Sequence, residues 1–144
     1  MAGLAAERLS IFPRGIDLSI YQPPENKQSN TTSLLRRHQL HGVFTPLYAG
    51  RVSEDKNLSL LAETFELANR QYPGQYNLII AGDGPFLSTL REILAQQNNV
   101  LFTGRISSKE LVECYQSADL LVFPSHTDTF GICLLYTSPS PRDA

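Results

Sequence analysis

Four short stretches carry residue types at spacings that can hold a phosphorylated, hydroxyl-rich ligand. In Gly50-Arg51-Val52-Ser53-Glu54-Asp55-Lys56, two cations bracket a polar turn between an apolar run and a helical one. Aimed into one crevice, Arg51 and Lys56 would stabilise a diphosphate both as a bound group and as a departing one. The same pair reads equally well as surface charges balanced by Glu54 and Asp55. In Gly82-Asp83-Gly84-Pro85, glycines after a strand permit close backbone approach, and the helix start behind them can face an anion. Alone, such a Gly-Asp-Gly is usually a tight turn. In Gly104-Arg105-Ile106, a backbone edge can meet a flat base with Arg105 over its face; a capping loop with a solvated arginine is the plainer reading. The fourth stretch runs from Ala118 to Ile132. Its loop holds one carboxylate, Asp128, suited to sugar hydroxyls. The amides of Thr129, Phe130, Gly131 and Ile132 can face an anion or a hydroxyl.

Other chemistries are disfavoured. A dinucleotide fingerprint would need another glycine at Leu87, and the Gly-Lys-Ser/Thr ending of a phosphate-binding loop is missing. There is no Gly-x-Ser-x-Gly nucleophile turn and no Cys/His/Asp cluster at metal-ligand spacing. His126 stands alone in a polar loop, and Thr127 and Thr129 suit loop backbone. Cys114 and Cys133 have neither metal nor disulfide-scaffold spacing, and read as reduced structural residues.

The elements that must position these stretches follow from periodicity and punctuation. Leu9 to Phe12 reads as a short strand, and residues 16–24 as an extended linker around Pro23-Pro24. Leu34 to His38 is a short helix stopping near Gly42. Pro46 to Ala49 is a strand ended by Gly50. A helix from about Asn57 to Tyr72 carries Leu58, Leu61, Phe65 and Ala68 inward. Tyr76 to Ala81 is the next strand. Pro85 opens a helix that turns Phe86, Leu90, Ile93 and Leu94 inward and runs to about Gln97. Val100 to Phe102 is a strand. Ser107 and Glu110 form a capping box for a helix reaching Ser117. Leu120 to Phe123 reads as a buried strand, with another helix beginning at Gly131.

Four strand–turn–helix passages with continuously apolar strands predict an α/β domain with a doubly wound parallel sheet covered on both faces. The ligand crevice of such a domain lies outside the carboxyl ends of the strands, where all four stretches fall. The chain has 144 residues, enough for one domain with a real core. A net charge of −2 argues against nucleic acid as a partner. No apolar run approaches membrane-spanning length, and the first residues are too short and polar for a secretory signal, so a cytoplasmic protein is expected.

Taken together, Gly50-Arg51…Lys56-Asn57-Leu58…Ala81-Gly82-Asp83-Gly84-Pro85…Phe102-Thr103-Gly104…Ala118-Asp119…Phe123-Pro124-Ser125…Asp128-Thr129-Phe130-Gly131 resembles the C-terminal, Rossmann-like domain of retaining GT-B-fold glycosyltransferases of family four. The likeness covers roughly residues 10–135, and Phe12-Pro13-Arg14-Gly15-Ile16-Asp17 resembles the entry into that domain. The Thr-Asp-Thr-Phe-Gly loop looks most like the branch of sulfoquinovosyl-, glucosyl- and mannosyl-transferases acting on lipids and glycoconjugates. The resemblance implies transfer of a sugar from a nucleotide-diphosphate sugar to an acceptor, with retention at the anomeric carbon and no metal or other cofactor. Arg51, Lys56 and Asp128 would be the catalytic set. Gly50, Gly82, Arg105, Ile106, Thr129, Phe130, Gly131 and Ile132 would bind the donor, with Arg105 and Ile106 at its base.

Two features depart from that pattern. The family's Glu-x7-Glu pair is represented by Asp128 and Tyr136, so the usual ribose contact is lost. Leu135 to Ala144, with two prolines in a Ser-rich run, cannot continue a helix and resembles translated sequencing-adapter sequence; a natural disordered tail is the alternative. The expected organisation is a linker remnant over 1–24, an incomplete donor-binding domain over 25–134, and a foreign tail over 135–144. The acceptor, a lipid, glycan or glycoconjugate, would be met by an N-terminal domain not in this sequence, with peripheral membrane association of the longer enzyme. Such a fragment is expected to be inactive alone. Rival readings are a nucleotide-sugar binding module without transfer activity and a nucleotide-sugar 2-epimerase of the same fold.

Overall fold

The computed structural model describes Ser19 and residues 33–126 of the chain. The strand expected at Leu9 to Phe12, the linker to residue 24 apart from Ser19, the helix expected at Gly131, Cys133, Tyr136 and the tail lie outside the described residues.

Helices and strands alternate. Helix α1 (Ser33–Arg37) precedes strand β1 (Pro46–Ala49), and a 3-10 turn (Glu54–Lys56) leads into α2 (Leu58–Gln71). Then come β2 (Leu78–Ala81), α3 (Leu87–Ile93), β3 (Val100–Gly104), α4 (Ser108–Ser117) and β4 (Leu120–Leu121). The strands pair in parallel in the order β3-β2-β1-β4, with Leu47 opposite both Ile79 and Leu121. Strand alternation divides the core in two. Tyr48, Leu78 and Ile80 pack under α2 and α3, while Leu47, Ala49, Ile79 and Ala81 pack under α1 and α4. Both faces are therefore covered, as a doubly wound sheet requires.

The strand ends obey their punctuation, and α4 begins at the expected capping box. Glu110 N–H donates to Ser107 Oγ, and Ser107 N–H donates back to the Glu110 carboxylate at 2.7 Å. Three expectations need correction. Ala62 is buried on α2 where Ala68 was expected, because the stripe closes on Leu58, Leu61 and Phe65 and leaves Ala68 at its margin. Helix α3 ends at Ile93 rather than near Gln97. Its last hydrogen bonds tighten to i−3 spacing, from Ala95 to Glu92 and from Gln97 to Leu94. Phe86, Leu90 and Leu94 then follow each other at a spacing of four, and Ile93 falls beside that line, exposed. Lastly, β4 is not the buried strand expected over Leu120 to Phe123. It borders the sheet among the described residues, and Leu120 is 50% exposed. Pairing continues one residue further, since Val122 N–H donates to Leu47 O at 2.8 Å.

The amino-terminal edge of the sheet is closed by polar side chains that sequence reading did not single out. Asn77 is fully buried; its Oδ1 accepts Gly42 N–H at 2.8 Å and its Nδ2 donates to Thr45 Oγ1 at 3.0 Å. Asp119 accepts Thr45 N–H at 2.8 Å, fastening the start of β4 to the start of β1. No helix among the described residues is long and apolar enough to cross a membrane.

Candidate functional site at the carboxyl edge of the sheet

Because the strands are parallel, the residues that follow them share one edge. Gly50, Gly82, Arg105 and Val122 leave β1, β2, β3 and β4 there. The chain adds β2 and β3 on one side of β1, then crosses to add β4 on the other. Strand order thus reverses between β1 and β4, and in parallel α/β sheets the ligand crevice lies outside the carboxyl ends of the strands at such a reversal. One wall of it is the loop after β1, which holds Arg51 and Lys56. The other is the loop after β4. Asn57 Nδ2 spans the two, 3.5 Å from Pro124 O, and the Tyr48 and Phe123 rings pack beneath at 6.0 Å.

The backbone around Arg51 is fixed on several sides. Gly50 N–H donates to Ala81 O at 2.9 Å and Val52 N–H to Asp83 O at 3.0 Å. The Tyr48 hydroxyl donates to Arg51 O at 2.6 Å. The first two bonds run against the loop after β2, which explains its glycines. A Cβ on Gly82 would lie 1.9 Å from Gly50 O, and one on Gly84 would lie 2.2 Å from Val52 O. Gly82 and Gly84 therefore let two loops lie edge to edge, with Arg51 presented between the pinned residues and its side chain exposed. The Gly-Asp-Gly stretch supports the cationic loop.

Lys56 ends the 3-10 turn, and Asn57 follows in a left-handed conformation with φ of 55°. That single residue redirects the chain from the turn into α2. Asparagine tolerates this conformation better than other residues bearing a side chain. Within the turn, the Ser53 hydroxyl bonds the Asp55 carboxylate, and this bond, with Lys56 and Arg51 close by, lowers the Asp55 pKa.

Arg105 is exposed at the end of β3, on the same edge as Arg51. Ile106 is half-buried against the core under α1 and α4. Gly104 and Gly82 bridge, so the ends of β3 and β2 stay together. Asp128, Thr129, Phe130, Gly131 and Ile132 lie outside the described residues, as does Thr127. His126 is exposed. Cys114 is buried on the inner side of α4, where burial first and the neighbouring Glu113 and Glu110 next push its thiol up to about 11. Such a thiol is a packing group. Among the described residues no three His, Cys, Asp or Glu side chains cluster to hold a metal.

Two clefts are found away from this edge. One of about 530 Å³ lies along the outer side of α4, and one of about 510 Å³ lies at the amino-terminal edge beside His38, Asn69 and Asn99. Neither touches the Arg51 loop. Parallel strands and the reversal of strand order favour the carboxyl edge as the ligand side. Sequence reading put Gly50, Arg51, Gly82, Arg105 and Ile106 just after strands and Lys56 at the start of the next helix; the structure has the first five in the connections that leave β1, β2 and β3, and Lys56 at the end of the 3-10 turn between β1 and α2. It missed Tyr48 and Asn57. Asn57 had a signal, an asparagine between a polar turn and an apolar helix, whereas Tyr48 looks like any core residue of a strand.

Comparison with known proteins agrees with this architecture. The sequence model of the glycosyl transferases group 1 family matches residues 36–135. The α-monoglucosyldiacylglycerol synthase of Streptococcus pneumoniae is 33% identical over 129 residues, which make up 87% of this chain and 29% of that protein. The chain therefore spans less than a third of the length of that relative. Among solved structures, the C-terminal domain of a glycosyl transferase group 1 family protein from Francisella tularensis superposes with a TM-score of 0.70 at 23% identity, over 85% of this chain and 65% of that one. Anabaena HepE, solved with UDP and glucose, superposes with a TM-score of 0.67 at 21% identity, over 93% of this chain and 36% of that one. At these identities the two structures speak for the fold, that of a GT-B glycosyltransferase, and the family match covers most of the chain. The chain belongs to the glycosyl transferases group 1 family.

Proposed function

We propose that this chain is the donor-binding part of a retaining glycosyltransferase, and that its crevice between β1 and β4 takes the diphosphate of a nucleotide sugar. The observation that carries the reading is the exit of Arg51 and Lys56 from β1 at the reversal of strand order. Two cations on a hydrogen-bonded loop suit a group that gains negative charge as the glycosidic bond to phosphate breaks. Their charge is in place before the reaction, so little reorganisation accompanies bond cleavage. No metal is required in this scheme, because guanidinium, ammonium and backbone amides share the charge of the leaving diphosphate.

Around that centre, Gly50 and Gly82 allow the ligand close to backbone, and Arg105 with Ile106 borders the base. Asp128 meets the sugar hydroxyls, and the amides of Thr129, Phe130, Gly131 and Ile132 meet the sugar and its phosphate. The acceptor is bound by the remainder of a longer protein, so the 144-residue chain binds donor without turning it over. The pneumococcal relative is a glycolipid synthase by name, which makes a lipid acceptor at a membrane surface the first to try. The Anabaena structure holds UDP and glucose, which makes UDP the first nucleotide to try.

The test is isothermal calorimetry of the folded chain with UDP, GDP and ADP. Binding of one diphosphate, lost in Arg51→Ala, is expected. No heat with any of the three from a folded sample would refute the reading, as would unchanged affinity in Arg51→Ala.

A further inference from the structure

The amino-terminal edge of the sheet, opposite the Arg51 loop, carries a cleft of about 510 Å³ with a chemistry of its own. Small-molecule sites enclose roughly 300–1,000 Å³. Among the described residues no lysine, arginine, aspartate or glutamate lines it. Its polar side chains are mainly amides, those of Asn69, Gln97, Asn98 and Asn99, with the exposed His38 and His41 beside them. Three of these amides are already set. Asn69 on α2 and Asn99 before β3 bond each other reciprocally, at 3.2 and 3.0 Å, and Asn99 also donates to Tyr76 O. Asn69 Nδ2 donates to Gln97 Oε1 at 2.8 Å, so the Nε2 protons are what Gln97 has to offer a ligand. The half-buried Tyr76 ring, also in the lining, has Phe44 and Tyr72 as near-perpendicular neighbours, with centroids 6.3 and 6.5 Å away. Gly42 lies close against this residue: a Cβ there would come within 2.6 Å of Tyr76 C.

We infer that this cleft binds a neutral oligosaccharide, at a site separate from the donor crevice. Phosphates and carboxylates are recognised by Arg and Lys, and the lining offers neither. A side-chain amide presents donors and an acceptor in one plane. Neighbouring sugar hydroxyls, each able to donate and accept, complement it, while Tyr76 supplies an apolar wall for the C–H face of a sugar ring. Amides already bonded to one another lose little freedom when a ligand arrives. Strand β1 has 4 residues, which sets the two edges of the sheet about 13 Å apart. A glycan here is held at a distance from the reacting centre. The inference does not depend on the donor-site reading.

The experiment follows amide shifts of the ¹⁵N-labelled chain as maltotriose, cellotriose, mannotriose and triacetylchitotriose are added, with trigalacturonate as the charged comparison. Shifts at Asn69, Tyr76 and residues 97–99 are expected with at least one neutral trisaccharide, at about millimolar affinity, and none with trigalacturonate. Gln97→Glu keeps the acceptor for Asn69 and removes the Nε2 donors, and Asn98→Ala trims an exposed side chain. Each should weaken binding about fivefold, the worth of one hydrogen bond, with the spectrum elsewhere unchanged. The inference is overturned by an absence of shifts with every neutral trisaccharide, or by shifts confined to other residues. Equal binding of trigalacturonate, or unchanged affinity in either variant, overturns it as well.

Discussion

The Tyr48 hydroxyl donates to the backbone carbonyl of Arg51 at 2.6 Å, from a ring with no exposed surface in the middle of β1. A core residue of the central strand thereby holds the residue that leaves that strand toward the ligand edge. Packing and site are joined here. The ring belongs to the cluster under α2 and α3, so any shift of that cluster is felt at Arg51.

Tyr48→Phe keeps the ring and removes the donor. It should lower stability by about 1 kcal/mol, the net worth of one such bond with its acceptor left short of a partner. The urea midpoint should fall with the slope unchanged. An unchanged midpoint would mean that the hydroxyl contributes nothing to the turn.

Gly82→Ala forces a Cβ to within 1.9 Å of Gly50 O, and neither backbone can yield without breaking the bond between Gly50 and Ala81. A loss of at least about 2 kcal/mol is expected from overpacking of this kind. Gly74 provides the contrast: its φ is +75° but a Cβ there meets nothing within 4 Å. Gly74→Ala should therefore cost only about 1 kcal/mol, the left-handed penalty alone. Thermal melts of the two variants would separate steric contact from backbone preference, and equal losses would contradict the edge-to-edge packing of the loops.

Asn57 separates the same two effects at the site. Asn57→Ala retains a Cβ at φ of 55° and should cost about 1–2 kcal/mol. Asn57→Gly should stay within about 0.5 kcal/mol of wild type, since glycine adopts that conformation freely. Denaturant unfolding of both decides it; a glycine variant as unstable as the alanine one would shift the weight to the contact between Asn57 and Pro124.

The capping box of α4 gives a pH dependence with a defined sign. Donation from the Ser107 N–H first, then its hydroxyl, holds the Glu110 carboxyl below its ordinary value of 4.5. A carboxylate depressed in the folded state contributes stability that is present above the unfolded value and is lost as pH falls through the folded one. Wild type should thus exceed Glu110→Gln in stability at neutral pH, and the gap should narrow steadily below about pH 4. A gap that widened on acidification would contradict the assignment.

Much of this fold is legible in the sequence because its punctuation is local. Gly50, Gly82 and Gly104 close strands, and Ser107 with Glu110 announces α4 through hydrogen bonds between residues three apart. Sheet order is different. Alternating helices and strands imply parallel pairing, but nothing local to Leu120 says that β4 joins β1 rather than β3, and its 50% exposure follows from that edge position. At the candidate site, residue types in the strand-to-helix connections pointed to Arg51, Lys56 and Arg105. The supports were hidden for a physical reason: Tyr48, Ser53 and Asn57 act through one hydroxyl, one rotamer and one backbone angle. None of these leaves a periodic trace.

The proposed place for a nucleotide diphosphate is the carboxyl edge between β1 and β4. Amide chemical-shift mapping of the ¹⁵N-labelled chain with UDP, GDP and ADP tests it most directly. Shifts are expected to cluster from Gly50 to Asn57, at Gly82 to Gly84, at Arg105 and at Ser125 to His126. Shifts gathered instead around His38, Asn69 and Asn99 at the opposite edge, or none with any diphosphate, would contradict it.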